Sequence, residues 1–192
     1  MKPKIFKKRS PSPKKIEPIT NYEDIILIKR LLKDQPRNLA LFTIGINTNL
    51  RASDLLQLRV YQVQNMQSVD SIEIKEKKTG KPRRLTLNKT CIQVIQSLLS
   101  KSHYSHYDYL FKTRKSEALT VNSVHRLIKL WCKLLNLEGN YGSHTMRKTW
   151  GYHQRVTFKV DIPTLMVCFN HANQKQTLDY LCIQPQEYNN EL

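Results

Sequence analysis

The chain has 192 residues, with 32 Lys and Arg against 15 Asp and Glu, a formal net charge of +17. Hydrophobic residues make up 40 %, enough to bury a core at this length, which excludes a disordered polycation and leaves room for one domain with at most a tail. No apolar run can cross a bilayer, no secretory stretch follows the basic start, and four scattered cysteines form no CxxC pair, so a cytoplasmic protein with an anionic partner, nucleic acid ahead of a membrane, is expected.

Residues 1–20 form the first segment. Up to Pro18 it holds seven basic residues against Glu17, +6 of the total charge, and four of the eight prolines. Proline removes backbone donors and blocks a regular helix, so a flexible basic arm is predicted, with a merely solvated tail as the alternative. From Asn21, a helix cap, Ile25, Ile28, Leu31 and Leu32 recur at helical spacing through Lys33. Pro36 opens a second helix with Leu39, Phe42, Thr43 and Ile46 on its apolar face, ending at Asn47-Thr48-Asn49. A short helix begins near Ser53. Between Ser71 and Leu87 the period becomes two, Ile72 and Ile74 then Leu85 and Leu87, on either side of Lys77-Lys78-Thr79-Gly80-Lys81. That pattern predicts a β-hairpin with a basic tip. Helices follow near 88–100, 120–136, 144–156, 161–168 and 173–183. The fold class is α+β, mainly α-helical with a small antiparallel β-sheet: one domain over 21–183, then a polar tail over 184–192.

Several residues suit phosphate chemistry. Arg51 follows the Asn-Thr-Asn break, Lys78 sits on the hairpin tip, and His144 and Arg147 lie three apart at the start of a helix. That spacing puts both side chains on one face, about 5–6 Å apart at Cβ. An arginine fork donates two parallel bonds to phosphate oxygens and stays charged at any working pH. His171 and Tyr180 are nine residues apart. One continuous helix would turn about 900° over that distance and point them to opposite faces. Asn173 with Gln176 reads as a capping box, which starts the last helix at Asn173 and leaves His171 in the preceding turn, free to face Tyr180. Taken alone, Tyr180 reads more readily as an ordinary interfacial tyrosine.

In this order, Thr48-Asn49-Leu50-Arg51-Ala52-Ser53-Asp54-Leu55-Leu56, the Lys-Lys-Thr-Gly-Lys hairpin, Ser143-His144-Thr145-Met146-Arg147-Lys148-Thr149, Asn170-His171-Ala172-Asn173 and Thr177-Leu178-Asp179-Tyr180 resemble the signature of the tyrosine recombinases, the phage integrase family. The resemblance runs from about residue 20 to the end. Asn170 stands where the family commonly has Gly, and Asp54 where it has Glu; Asn tolerates left-handed backbone and Asp keeps the carboxylate. The resemblance implies a site-specific DNA recombinase acting in integration, excision or inversion of a mobile element or prophage. Tyr180 would attack the scissile phosphate to give a 3′-phosphotyrosyl intermediate, with Arg51, Arg147 and His171 stabilising the transition state. His144 would take the tyrosine proton and Lys78 would protonate the leaving 5′-oxygen, with Lys77 and Lys81 as rivals for Lys78. No metal or other cofactor is implied. Cys168, His171 and Cys182 supply only three of the four ligands a structural zinc needs, His103 and His106 read as loop residues, and Tyr188 lacks the Thr-Leu-Asp-Tyr context.

Lys77, Lys81, Arg83, Arg84 and Lys148 are expected to contact the DNA backbone. Implied partners are double-stranded DNA, a homotetramer on two duplexes with the tail docking in trans, and accessory bending or directionality factors. The family usually carries a core-binding domain ahead of the catalytic one, and here only the basic arm precedes it. The other readings are a non-catalytic DNA-binding remnant and a type IB topoisomerase-like relaxing enzyme.

Overall fold

A computed structural model describes residues 15–67 and 70–183. Residues 1–14 of the predicted arm and the predicted tail over 184–192, with Tyr188, lie outside the described residues. The described elements are α1 (Tyr22–Leu31), α2 (Pro36–Asn47), α3 (Ala52–Leu55), α4 (Val60–Val63), β1 (Ser71–Lys75), β2 (Pro82–Thr86), α5 (Lys89–Ser100), α6 (Val121–Leu134), α7 (Thr145–Val156), α8 (Ile162–Phe169) and α9 (Gln174–Leu181). Five of the nine described helices begin at side-chain caps. Asn21, Asn88, Thr120, Asp161 and Asn173 each accept a bond from a backbone amide of the first turn, satisfying donors that the helix itself leaves free. Only the one-turn α4 has no counterpart in the sequence reading, because four residues are too few to establish a period.

Helix α2 is the central rod. It packs against α5 and α7, with Ala40, Leu41, Phe42 and Ile44 fully buried. Each such large side chain contributes about 1.5–3 kcal/mol by leaving water. Phe42 meets Trp131 of α6 edge to face, with centroids 6.1 Å apart. A second apolar cluster of Ile162, Leu165, Phe169, Leu181 and Ile183 joins α8 and α9, with Trp150 of α7 packed against it. Thus α7 is the hinge-pin between the two clusters, and its faces divide the work. Gly151 allows Phe169 and Leu181 to approach so closely that an added Cβ would lie 2.5 and 2.7 Å from them.

Strands β1 and β2 pair antiparallel, Ser71 with Thr86 through Lys75 with Pro82. The turn closes through the Gly80 amide bonding the Glu76 carbonyl at 2.8 Å, with Gly80 at φ 68°. Residues 15–20 depart from the predicted arm. Ile19 is 1 % exposed, the Ile19 amide donates to Thr149 Oγ1 at 2.8 Å, and Thr145 Oγ1 donates to the Glu17 carbonyl at 2.9 Å. Charge and proline counts over the whole segment concealed this, since one isoleucine and two threonines from a distant helix suffice to pin the segment.

Candidate active site

Arg51 caps the start of α3 and Arg147 lies in the first turn of α7. Both line a pocket of about 270 Å³ with Glu76, Lys81, Arg83 and Phe169. Arg147 is 4 % exposed, and among the described residues its Nη1 has no hydrogen-bond partner. Its guanidinium stands 5.2 Å from the Phe169 ring centroid. Burial, then the charges of Arg51 and Arg83, hold its pKa down at about 10, against the opposing pull of Tyr180 and Glu76, so it is still a cation at neutral pH. A buried cation with an unused donor beside a second arginine is an anion site by its chemistry.

Two carboxylates hold Arg51, and one of them also holds Arg83. Glu76 accepts from Arg51 Nη1 at 2.9 Å, Arg83 Nη1 at 3.2 Å and Thr79 Oγ1 at 2.8 Å. Burial opposes its ionisation, but the bonds from Thr79 and Arg51, the charge of Arg51 and the bond from Arg83 outweigh it and keep the carboxyl below its ordinary value. Asp54, 3 % exposed, accepts from the Lys77 amide at 2.9 Å and lies 3.8 Å from Arg51 Nη1. The shorter Asp therefore ties the hairpin to the arginine. Asn49 donates to the Cys168 carbonyl, binding the loop before Arg51 to the end of α8.

That end explains His171. Asn170 takes the left-handed conformation, φ 58° and ψ 53°, as the cap of α8, a cost small for Asn and absent for Gly. The chain then turns so that His171 stacks on Phe169, with centroids 5.2 Å apart, and meets Tyr180 edge to face at 5.2 Å. Its Nδ1 lies 3.0 Å from Thr177 Oγ1. The predicted break at Asn173 is present, and Gln176 closes it by accepting from the Ala172 amide at 2.9 Å. Burial, then Arg147 and Arg51, lower the His171 pKa. Partial burial of the ring, then Lys148, Arg147, Arg51 and Lys78, lower that of His144 at the head of α7. Burial raises the Tyr180 phenol, with Arg147 and Arg51 opposing and Cys182 adding to the rise.

The structure thus gathers Arg51, Arg147, His171 and Tyr180 around Phe169 and the pocket. Lys78 is exposed on the turn, near enough for its charge to act on His144. Lys81 and Arg83 line the pocket, and Lys77 is exposed with its amide held by Asp54. Arg84 alternates to the other face of the hairpin and bonds Ser71 Oγ at 2.6 Å. Lys148 corrects its expectation: it is 4 % exposed, so it does not lie on a DNA-facing surface. Its Nζ sits 4.7 Å from the Tyr180 ring centroid and 3.7 Å from Cys182 Sγ. The sequence reading also missed Glu76, Thr177 and Phe169. A single acid in a basic hairpin, a threonine one turn into a helix and a phenylalanine in an apolar run carry no signal until their neighbours are known. Among the described residues no helix is long and apolar enough to cross a membrane.

The chain is 34 % identical over 170 residues to the probable integrase/recombinase YoeC of Bacillus subtilis strain 168, covering 88 % of this chain and 90 % of that one. It is 29 % identical over 148 residues to tyrosine recombinase XerC of Caldanaerobacter subterraneus subsp. tengcongensis, covering 75 % of this chain and 40 % of that one. Among solved structures, XerH site-specific recombinase bound to palindromic difH substrate, in its post-cleavage complex, matches with a TM-score of 0.72 at 20 % identity, over 88 % of this chain and 50 % of that one. XerA recombinase matches with a TM-score of 0.70 at 18 % identity, over 96 % of this chain and 64 % of that one. The chain therefore spans nearly all of the Bacillus relative but half to about two-thirds of these solved recombinases. Residues 19–187 match the phage integrase family, and the chain belongs to it.

Proposed function

We propose that this chain is a site-specific DNA recombinase that cleaves and rejoins DNA through a 3′-phosphotyrosyl intermediate. The observation that carries the reading is buried Arg147, its Nη1 unused among the described residues, sharing a pocket with Arg51 and resting on the same Phe169 ring that packs against Tyr180. In the reaction, Tyr180 Oη forms a bond to phosphorus while the bond from phosphorus to the 5′-oxygen breaks. Arg51 and Arg147 bind the non-bridging oxygens as charge grows on them, each such contact being worth roughly 10²–10³ in rate. Glu76 gives up its place on Arg51 to the phosphate.

His171 donates to the same phosphoryl group. That role requires the ring proton on Nε2, which assigns the Thr177 hydroxyl as the donor to Nδ1 across their 3.0 Å contact. His144, kept neutral by burial and its basic neighbours, accepts the phenol proton, and Lys78 gives a proton to the leaving 5′-oxygen. Lys77, Lys81 and Arg83 hold flanking phosphates. The phosphotyrosyl ester stores the bond energy, so a 5′-hydroxyl of another strand can rejoin without a nucleotide cofactor. We assign this chemistry to residues 21–183, with the basic residues ahead of them holding DNA and residues 184–192 docking on a neighbouring copy in a tetramer. Integration, excision or inversion of a mobile element in the bacterial cytoplasm is the setting that fits.

Nicked suicide duplexes tiled from the DNA flanking its own coding sequence test this. Loss of the fragment behind the nick should trap a covalent complex in the wild-type chain and none in Tyr180→Phe. An adduct that survives that substitution, or relaxation of any supercoiled plasmid without site preference, would overturn the reading.

A further inference from the structure

Lys148 follows Arg147 on α7, but its side chain runs inward. It lies in the interior with its Nζ 4.7 Å from the Tyr180 ring centroid and 3.7 Å from Cys182 Sγ. Neither is a carboxylate. A buried ammonium is costly unless it is well paired, and a thiol and a ring face are weak partners. Burial lowers its pKa; Cys182 and Glu17 favour the charge, and Lys15 opposes it. Packing alone would be served by a methionine or leucine at no such cost. The placement of the charge against one particular tyrosine therefore calls for a role.

We propose that Lys148 is a positioning residue for Tyr180, its charge against the ring both holding the side chain in place and favouring the phenolate. The inference rests on Tyr180 being the nucleophile. A cation is attracted to a neutral ring face, and the attraction grows as the proton leaves, because phenolate charge spreads from Oη into the ring carbons. The same charge assists the reverse step, when the bond from phosphorus to Tyr180 Oη breaks and the phenolate departs. One residue thus serves cleavage and rejoining alike. It is also fixed to the nucleophile's own helix end, since Cys182 caps α9 two residues after Tyr180.

The charged and titratable groups around Tyr180 are Arg147 and Lys148 from α7, Arg51 from the start of α3, His171 from the turn before α9 and Cys182 from its end. Around Lys148 they are Cys182, Glu17, Lys15 and His144. Arg147 and Arg51 remain when Lys148 is replaced, so the effect is partial, about one pH unit or tenfold in phenolate.

The test uses the full chain, DNA-free, with tyrosine Cζ labelled by carbon-13 and the Tyr180 resonance identified by its loss in Tyr180→Phe. Lys148→Met keeps the volume and removes the charge; Lys148→Arg keeps the charge and changes the shape. The Tyr180 midpoint should lie about one unit higher in Lys148→Met than in Lys148→Arg. On the trapping duplexes at neutral pH, Lys148→Met should form adduct about tenfold more slowly and Lys148→Arg at nearly the wild-type rate. Equal midpoints in the two folded variants, or rescue by Met and not by Arg, would overturn the inference. If Lys148→Met unfolds, Lys148→Gln takes its place in the same comparison. A midpoint difference between the two variants alongside a wild-type chain that never forms an adduct would count against Tyr180 as nucleophile, whereas an unmoved midpoint counts against Lys148.

Discussion

Gly151 offers a sharp test of how the site is held. It lies inside α7, where alanine alone would stabilise the helix by about 1 kcal/mol. A Cβ there, however, would meet Phe169 Cζ at 2.5 Å, Leu181 Cδ2 at 2.7 Å and Phe169 Cε2 at 2.8 Å. Relief to ordinary carbon contact requires the ring to retreat about 1 Å. Trp150, His171 and Tyr180 surround that ring with centroids 5.7, 5.2 and 5.1 Å away, so it cannot move alone. Overpacking of this kind costs about 1–3 kcal/mol, and the cost exceeds the helix gain. Gly151→Ala should therefore lower stability by up to about 2 kcal/mol, or up to roughly 8 °C in Tm. Because His171 and Tyr180 both lean on Phe169, the displacement reaches the chemistry, and misplacement of about 1 Å can cost 10²-fold in rate. Urea unfolding and the single-turnover rate of adduct formation measure the two effects. If Gly151→Ala gains about 1 kcal/mol and cleaves at the wild-type rate, the account of Phe169 as the packed support of the site is wrong.

The other expectations follow from the same geometry. Thr177→Val removes the partner of His171 Nδ1 and should slow adduct formation about tenfold or more while thermal unfolding shows only a small shift; an unchanged rate would leave Thr177 without a part in setting the tautomer. His144 and His171 have lowered pKa values, so the unfolded chain binds protons first. Stability should be lost as pH falls below about 6.5, and denaturant titrations of His144→Gln/His171→Gln should lack that slope, a retained slope assigning it elsewhere. Lys78→Ala should be rescued by a substrate with sulfur in the bridging 5′ position, a leaving group that needs no proton, whereas Lys77→Ala should cleave the ordinary substrate nearly normally; the reverse pattern would move the acid to Lys77.

Much of this arrangement is legible from local rules. Asn21, Asn88, Thr120, Asp161 and Asn173 announce their helices because a cap is a contact between near neighbours. The hairpin is readable from period two and Gly80, and the meeting of His171 with Tyr180 from the break at Asn173. Lys148 was not legible. On a helix of basic residues nothing local separates the lysine that enters the core from one that reaches for DNA; the difference is made by Tyr180 and Cys182, more than thirty positions away. Glu76 likewise acquires its meaning only when Arg51 and Arg83 converge on it. Residues 15–20 read as arm by composition, yet Ile19 and the threonines of α7 dock them against the domain.

The central claim is that Tyr180 becomes bonded to DNA. Trypsin treatment of the trapped complex cuts after Lys175 and leaves the peptide from Gln176 to Leu192, which holds Tyr180 and Tyr188. Fragmentation of that peptide by mass spectrometry should place a nucleotide 3′-phosphate on Tyr180 and leave Tyr188 unmodified. A phosphate found on Tyr188, on another residue, or on none would contradict the account.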